Sequence, residues 1–227
     1  MKEIEFAAKL ILEADALLIT AGSGMGADSG LSTFRGKNGM YQSDEDIESL
    51  INSNWFVRDP RQAWKYYFER IDEYEITKPH LGYRLLREIC ESKVLGYFVY
   101  TSNVDGHFEK AGFKSDRLFE CHGNINRVQC VKPCSRQTWL LQDIEDYRKN
   151  KVIYCPLCGG LARPNVMLFN DSSSKGLRSG FEAYVSKLSV KYPNSFALPN
   201  MLIIKLRIHG AAALETLFVS INSLFTY

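Results

Sequence analysis

Over 227 residues the chain is 45% hydrophobic and 24% charged, with a net charge of +2. This is the composition of an ordinary soluble globular protein, and so small a basic excess gives no argument for nucleic acid or an anionic membrane as partner. No apolar run approaches the roughly 18–20 residues of a membrane span, and the start, "MKEIEFAAKLILEADALLIT", mixes acids into its apolar residues where a signal peptide would carry an apolar core; a cytoplasmic or nuclear protein is expected.

In chain order, Ile4, Ala7, Ala8, Ile11 and Leu12 recur at helical spacing. Ala16 to Thr20 is a short continuous apolar run, the signature of a buried parallel strand. Next comes "AGSGMGADSG", in which Gly22, Gly24 and Ala27 fit G-x-G-x-x-G/A after a strand. In that arrangement backbone N–H groups face a pyrophosphate, and any side chain would block its approach. A tight strand-to-helix turn is the plainer use of the same glycines. "ADSGLSTF" predicts a short helix, and Phe34 and Arg35 follow on a loop. There an aromatic ring can shield a reactive sugar, and a guanidinium can meet phosphate. An ordinary dehydrogenase would place a strand ending in an acid about 20 residues on; "GKNGMYQSDEDIESL" has acids but no strand. A dinucleotide is therefore expected, but not a common nicotinamide dehydrogenase.

Helices are predicted over 43–51 and 60–75, the second started by Asp59 and Pro60, and from Thr77 and Pro79 through "HLGYRLLREIC". "GYFVYTSN" and "RLFECHG" read as the second and third strands. This order implies an α/β fold, a Rossmann-like parallel sheet with helices on both faces. Ligands bind beyond the carboxyl ends of such strands, which gathers Ser102, Asn103, Asp105 and His122 near the glycine loop. An Asn offers both donor and acceptor, an Asp can hold ribose hydroxyls or an amide, and a His can take a proton from a sugar hydroxyl. Lone histidines are more often structural; His122 is favoured over His80, His107 and His209 because it stands at a strand end before Gly123, where a ligand can come close.

Of six cysteines, Cys90 and Cys121 sit in apolar contexts and read as buried small hydrophobes. Cys130, Cys134, Cys155 and Cys158 form two pairs about 20 residues apart, a spacing that supplies four thiolates to one structural Zn²⁺; a redox dithiol is the alternative. Four sulfurs leave no open coordination position, so the metal organises a small module and takes no part in chemistry. The expected division is a nucleotide-binding domain over 1–126 and 161–227, with a zinc module inserted at 127–160 whose "SRQTWLLQDIEDYRKN" is helical. Beyond Asp171 the expectations are a loop at "DSSSKG", a helix at "FEAYVSKLSV" and strands at "MLIIKLRI" and "LFVSI".

"GSGMGADSGLSTFRG", "TSNVDGHFEKAG", "ECHGNINRVQC", the cysteine pairs and "LARPNVMLF" occur in the order found in sirtuins, and residues 16–171 resemble that family, in its divergent bacterial-type branch. The resemblance implies an NAD-dependent protein-lysine deacylase that uses NAD as co-substrate and Zn²⁺ structurally. It implies that Gly22, Ser23 and Gly24 cradle the NAD phosphates and that Phe34 and Arg35 cover the nicotinamide ribose. Ser102, Asn103 and Asp105 would complete the NAD site, with Asn103 catalytic beside His122, the base. Arg163 to Phe169 would line an acyl-lysine tunnel. The reaction so implied moves the acyl group from lysine to ADP-ribose and releases nicotinamide; its partner is an acylated lysine on a protein or peptide. The sequence departs from the family pattern at Ser102 (usually Gln), Gly26 (usually Ser), Ser32 (usually Pro) and Asn170-Asp171 (usually Gly-acid). It carries no Gly-Thr-Ser adenosine segment, and Ile221-Asn222 only echoes the element that follows one. The alternatives are an NAD glycohydrolase or ADP-ribosyltransferase, and an inactive relative that binds acyl-lysine or ADP-ribose.

Overall fold

The computed structural model describes residues 2–32, 51–169, 171, 201–206 and 217–220. Its main sheet begins with β1 (Ala16–Ala21), which follows α1 (Lys2–Glu13). Leu17 and Ile19 are fully buried on one face, and Ala16 and Leu18 are buried on the other. Burial on both faces is what a run without polar alternation requires. β2 (Tyr97–Thr101) and β3 (Leu118–Glu120) lie beside it in parallel, and β7 (Met201–Leu206) pairs with β1 on its other side, also parallel. β8 (Leu217–Ser220) runs antiparallel to β7, giving the order β3-β2-β1-β7-β8. The parallel expectation thus holds for four strands and fails for the fifth: the short return from Leu206 to Leu217 favours the antiparallel direction, since a parallel return needs a crossover of a dozen or more residues.

The strand order reverses at β1, so the turn leaving β1 lies at the topological switch point, where open α/β sheets bind ligands. That turn enters α2 (Gly24–Ala27), a single helical turn that starts earlier than "ADSGLSTF" predicts. α3 (Trp55–Arg58) and α4 (Pro60–Ile76) follow the next described segment. Asp59 caps α4 by accepting from the Gln62 N–H at 3.2 Å, and Pro60 starts it, as the sequence predicts. His80 caps α5 (Leu81–Glu91), whose Tyr83 and Cys90 pack beneath β1 and β2 with Phe108 of α6 (His107–Lys110). Cys90 is fully buried, whereas Cys121 is only partly so.

A second sheet holds β4 (Gly123–Cys130), β5 (Trp139–Leu140) and β6 (Ala162–Val166), antiparallel in the order β5-β4-β6. Here the predicted helix over "SRQTWLLQDIEDYRKN" is absent. Trp139 and Leu140 pair with Val128 and Arg127, and a single 3-10 turn spans Leu141–Asp143. Asp146 takes a positive φ of 53°, which an α-helix cannot hold. Val128, Leu141, Ile153 and Ala162 share one core with Phe56, Trp64, Tyr67 and Ile71 of α3 and α4. The Trp64 indole donates to the Ala162 carbonyl at 2.9 Å, locking helix to sheet. The predicted helices over 43–51 and "FEAYVSKLSV", and the loop at "DSSSKG", fall on residues outside those described, apart from Ile51 and Asp171. Among the described residues no helix is long and apolar enough to cross a membrane.

Candidate active site and metal centre

The end of β1 and the end of β2 are tied together. The Ala21 carbonyl accepts from the Ser102 N–H (3.0 Å) and from the Thr101 hydroxyl (3.1 Å). The same hydroxyl accepts from the Asn103 N–H (3.1 Å), so the chain turns sharply as it leaves the sheet. Ser102 Oγ then lies 3.5 Å from where a side chain on Gly22 would begin. Gly26 does similar work one turn later: a Cβ there would press on Leu31 at 3.2 Å and approach Asp105 Oδ2 at 3.5 Å. Gly26 therefore leaves room for Leu31 to pack closely on α2.

Asp105 is buried, and its carboxylate accepts from the His107 N–H at 2.9 Å. Burial raises its pKa against the pull of that bond. Asn103 is buried, its side chain close to the Tyr83 hydroxyl, and its amide nitrogen makes no well-formed hydrogen bond among the described residues. A buried amide with its bonds unmade costs free energy.

His122 arrives from the third strand. The Cys121 N–H donates to the Thr101 carbonyl (2.8 Å), and the His122 carbonyl accepts from the Met167 N–H (2.8 Å). Its ring is half-buried against the Ser102 backbone; burial holds its pKa below the ordinary 6.5, partly offset by that contact. The imidazole is therefore neutral near pH 7, the form a base requires. Ser102 touches both sides: its hydroxyl borders the glycine turn and its backbone meets the imidazole. Gly123 has a role other than the one expected. Its φ is +82°, and a Cβ would be driven into the Asn165 carbonyl of β6. The missing side chain admits the neighbouring strand.

The other two described histidines, His80 and His107, pack within the fold. His80 Nδ1 accepts from the Gly82 N–H (3.0 Å), so Nε2 carries the proton it gives to the Met25 carbonyl (3.0 Å); this fixes α2 to α5. His107 is fully buried against Tyr83, and burial lowers its pKa. Phe34, Arg35 and His209 lie outside the described residues. Sequence reasoning gave no sign of Glu120 and Asn124, which bracket His122: the Asn124 amide donates to both Glu120 oxygens at 2.9 Å.

The four cysteine sulfurs lie within 4.8 Å of one another. Cys130 and Cys158 are 3.6 Å apart, and Cys134 and Cys155 are 3.7 Å apart. Thiolates about 2.3 Å from a tetrahedral zinc stand about 3.8 Å apart, so the four fit that ion. The Gly159 N–H bonds the Cys155 carbonyl (2.9 Å) with Gly159 at a φ of +70°, forming the knuckle that turns the second pair inward.

A mostly parallel sheet with a glycine turn at its switch point, joined to a module whose four cysteines fit a structural zinc, is the architecture of an α/β protein with a candidate nucleotide site. The Sir2 family profile matches residues 22–189. The chain is 36% identical over 171 residues to an NAD-dependent protein deacylase of Aeropyrum pernix, covering 75% of this chain and 66% of that protein. It is 36% identical over 168 residues to one of Thermococcus kodakarensis (73% and 63%) and 31% identical over 188 residues to NAD-dependent protein deacylase 2 of Pseudomonas aeruginosa (78% and 72%). The match thus spans slightly less than two-thirds of the archaeal proteins. Among solved structures, one on sirtuin substrate affinity superposes with a TM-score of 0.63 at 26% identity, over 90% of this chain and 77% of that one. A Sir2 protein with a deacetylated p53 peptide and 3'-O-acetyl ADP-ribose gives a TM-score of 0.62 at 23% identity, over 92% and 89%. The chain belongs to the Sir2 family.

Proposed function

We propose that this chain is an NAD-dependent protein-lysine deacylase. The observation that carries this reading is the convergence on Ser102, which borders the side-chain-free turn at Gly22 and the neutral His122 imidazole. Bound NAD would supply an electrophilic ribose carbon as its bond to nicotinamide breaks; the acyl carbonyl oxygen bonds to that carbon, and the acyl group then passes to a ribose hydroxyl as the lysine amine leaves. Gly22, Ser23 and Gly24 hold its phosphates at the switch point; the family resemblance assigns the ribose to Phe34 and Arg35. The buried Asn103 amide donates to a ligand oxygen, and Asp105 accepts from an amide or hydroxyl. His122 takes the proton of a ribose hydroxyl, and its lowered pKa keeps it competent below pH 7. Arg163 to Phe169 present the acyl-lysine. The four thiolates hold Zn²⁺ away from the reaction. The partner is an acylated lysine on a protein or peptide, in a reducing compartment, cytoplasm or nucleus, that leaves these thiols free.

Purified protein should release nicotinamide from NAD in proportion to an added acetyl-lysine peptide. His122→Ala should lower that rate about 10²–10⁴-fold, the usual range for a lost general base, with zinc content unchanged. Equal rates in the two proteins would remove His122 as base. Nicotinamide release independent of the peptide would replace deacylation with NAD hydrolysis. The acid limb of kcat/KM should lie below pH 6.5, because the folded state binds the His122 proton more weakly than water-exposed histidine does.

A further inference from the structure

Three features outside the reacting groups invite a use: the Glu120–Asn124 bracket, the exposed stripe Leu81, Leu85 and Ile89 on α5, and the buried ion pair Arg163–Asp171. Nothing in the structure says what covers the stripe. The ion pair carries an argument furthest.

β6 ends at Val166, and residues 167–169 continue without a partner in the module sheet. They are attached elsewhere. The Met167 N–H reaches the His122 carbonyl, while Phe169 pairs with the 51–53 segment through its N–H to Ile51 (2.9 Å) and its carbonyl from Ser53 (3.2 Å). Their side chains alternate: Val166 and Leu168 are buried, Met167 and Phe169 exposed. The strip thus bridges the His122 turn and the 51–53 segment, and its course is set by one ion pair. Arg163 Nη1 donates to the Val166 carbonyl (2.9 Å) and Nη2 to Asp171 Oδ2 (2.8 Å). The same oxygen accepts from the Leu168 N–H (3.0 Å), and the Asp171 N–H closes the ring onto the Leu168 carbonyl (3.1 Å). On its other side Arg163 meets Gln129, whose amide, oriented to satisfy the network, accepts from Nε (3.2 Å) and donates to Asn165 (2.7 Å). Both charged side chains are largely removed from water, at 7% and 19% exposure.

We propose that Arg163 and Asp171 are positioning residues: their ion pair fixes the register of residues 166–169 against His122, and so sets the affinity for the acylated peptide through that strip. This rests on the reading of Arg163–Phe169 as the acyl-lysine stretch. Here one carboxylate oxygen serves both the guanidinium and a strip amide, so a move of either shifts the strip.

The test uses the full chain with zinc bound. In Asp171→Asn the peptide KM should rise at least tenfold while the NAD KM moves less than threefold. Because this change leaves Arg163 without its counter-charge and risks the fold, Asp171→Glu is the companion. It keeps the charge but displaces the oxygen by one methylene, and should raise the peptide KM severalfold at a wild-type melting temperature. Amide hydrogen exchange at Met167 to Phe169 should accelerate at least tenfold in Asp171→Asn. Peptide and NAD constants that change together, or a wild-type peptide KM in Asp171→Glu, would overturn the proposal while leaving the deacylase reading intact. If the wild-type chain turns over no peptide, that reading fails and the exchange measurement alone decides: acceleration supports the register role, and unchanged exchange overturns it.

Discussion

The two cores of this molecule are built on opposite plans. Beneath the parallel sheet, Leu17, Ile19, Val99 and Tyr83 exclude water by contiguous apolar packing from strands and helices that the chain lays down at helical and strand period. The module core is smaller and mixed: Val128, Leu141, Ile153 and Ala162 come from short strands and turns, with two of the four metal-site cysteines, Cys130 and Cys155, buried among them. It reaches adequate size only by borrowing Phe56, Trp64 and Tyr67 from α3 and α4. The first plan stores its stability in buried area, roughly 25 cal/mol per Å². The second concentrates it in a few contacts, so a single loss should travel further. On the proposed reading the comparison also separates functions: the sheet would supply the nucleotide site, while β6 of the module leads into the strip bonded to the His122 carbonyl.

The largest effect should come from removing the metal. Structural zinc contributes on the order of 10 kcal/mol to small metal-organised segments. Chelation, or Cys155→Ser, should therefore melt the module and abolish the near-ultraviolet signal of Trp64 and Trp139, while far-ultraviolet ellipticity from the parallel sheet largely persists. Loss of both signals in one transition would show that the two cores are one cooperative unit, and the contrast drawn above would fall. Re-addition of Zn²⁺ should restore the aromatic signal.

Next in size is Gly123→Ala, at the junction where the chain leaves the large sheet for the module. At a φ of +82°, with the Asn165 carbonyl filling the Cβ position, no L side chain fits without moving β4 from β6. The expected cost is about 3 kcal/mol or more, combining strain with a displaced strand. It should appear as a lower melting temperature together with a loss of deacylation, because the same shift moves His122. A stable, active Gly123→Ala protein would mean that the strands approach less closely than described.

What was legible in the sequence divides along the same line. β1 and β2 stand out as continuous apolar runs, α4 and α5 as capped periodic segments, and the cysteine quartet as a spacing, because each signal lies within a window of a few residues. The approach of the glycine turn and of His122 to the same residue, Ser102, follows from strand order. The module resisted: "SRQTWLLQDIEDYRKN" has helical composition, but Trp139 and Leu140 gain more from pairing with β4 than from a helix, an instance of tertiary context overriding propensity. The attachment of α4 to the module through Trp64 and Ala162 spans 98 residues and leaves no local trace. Nor does the Arg163–Asp171 pair, whose partners meet only because the chain folds back after β6. Gly123 was noticed for the wrong reason: the sequence shows that space is needed there, but not that a strand rather than a ligand takes it.

The smallest predicted effect tests how the His122 turn is held between the two plans. Glu120 ends β3 and Asn124 begins the path into β4, and their side chains meet across Cys121–Gly123. Burial pushes the Glu120 pKa up to about 7, only partly offset by the Asn124 amide, with Glu109 and Asp105 adding repulsion and Arg127 opposing it. A carboxyl whose folded pKa is raised binds protons more tightly in the folded state than in the unfolded one. Stability should therefore fall as pH rises from the unfolded value near 4.5 through about 7. Glu120→Gln keeps an oxygen for the Asn124 amide but removes the charge. It should be more stable than wild type at pH 8 by roughly 1–3 kcal/mol, and should match it at pH 4. Denaturant midpoints at the two pH values measure this directly. A variant equally stabilised, or destabilised, at both would assign the bracket's worth to hydrogen-bond geometry and leave the Glu120 charge without a role in holding His122.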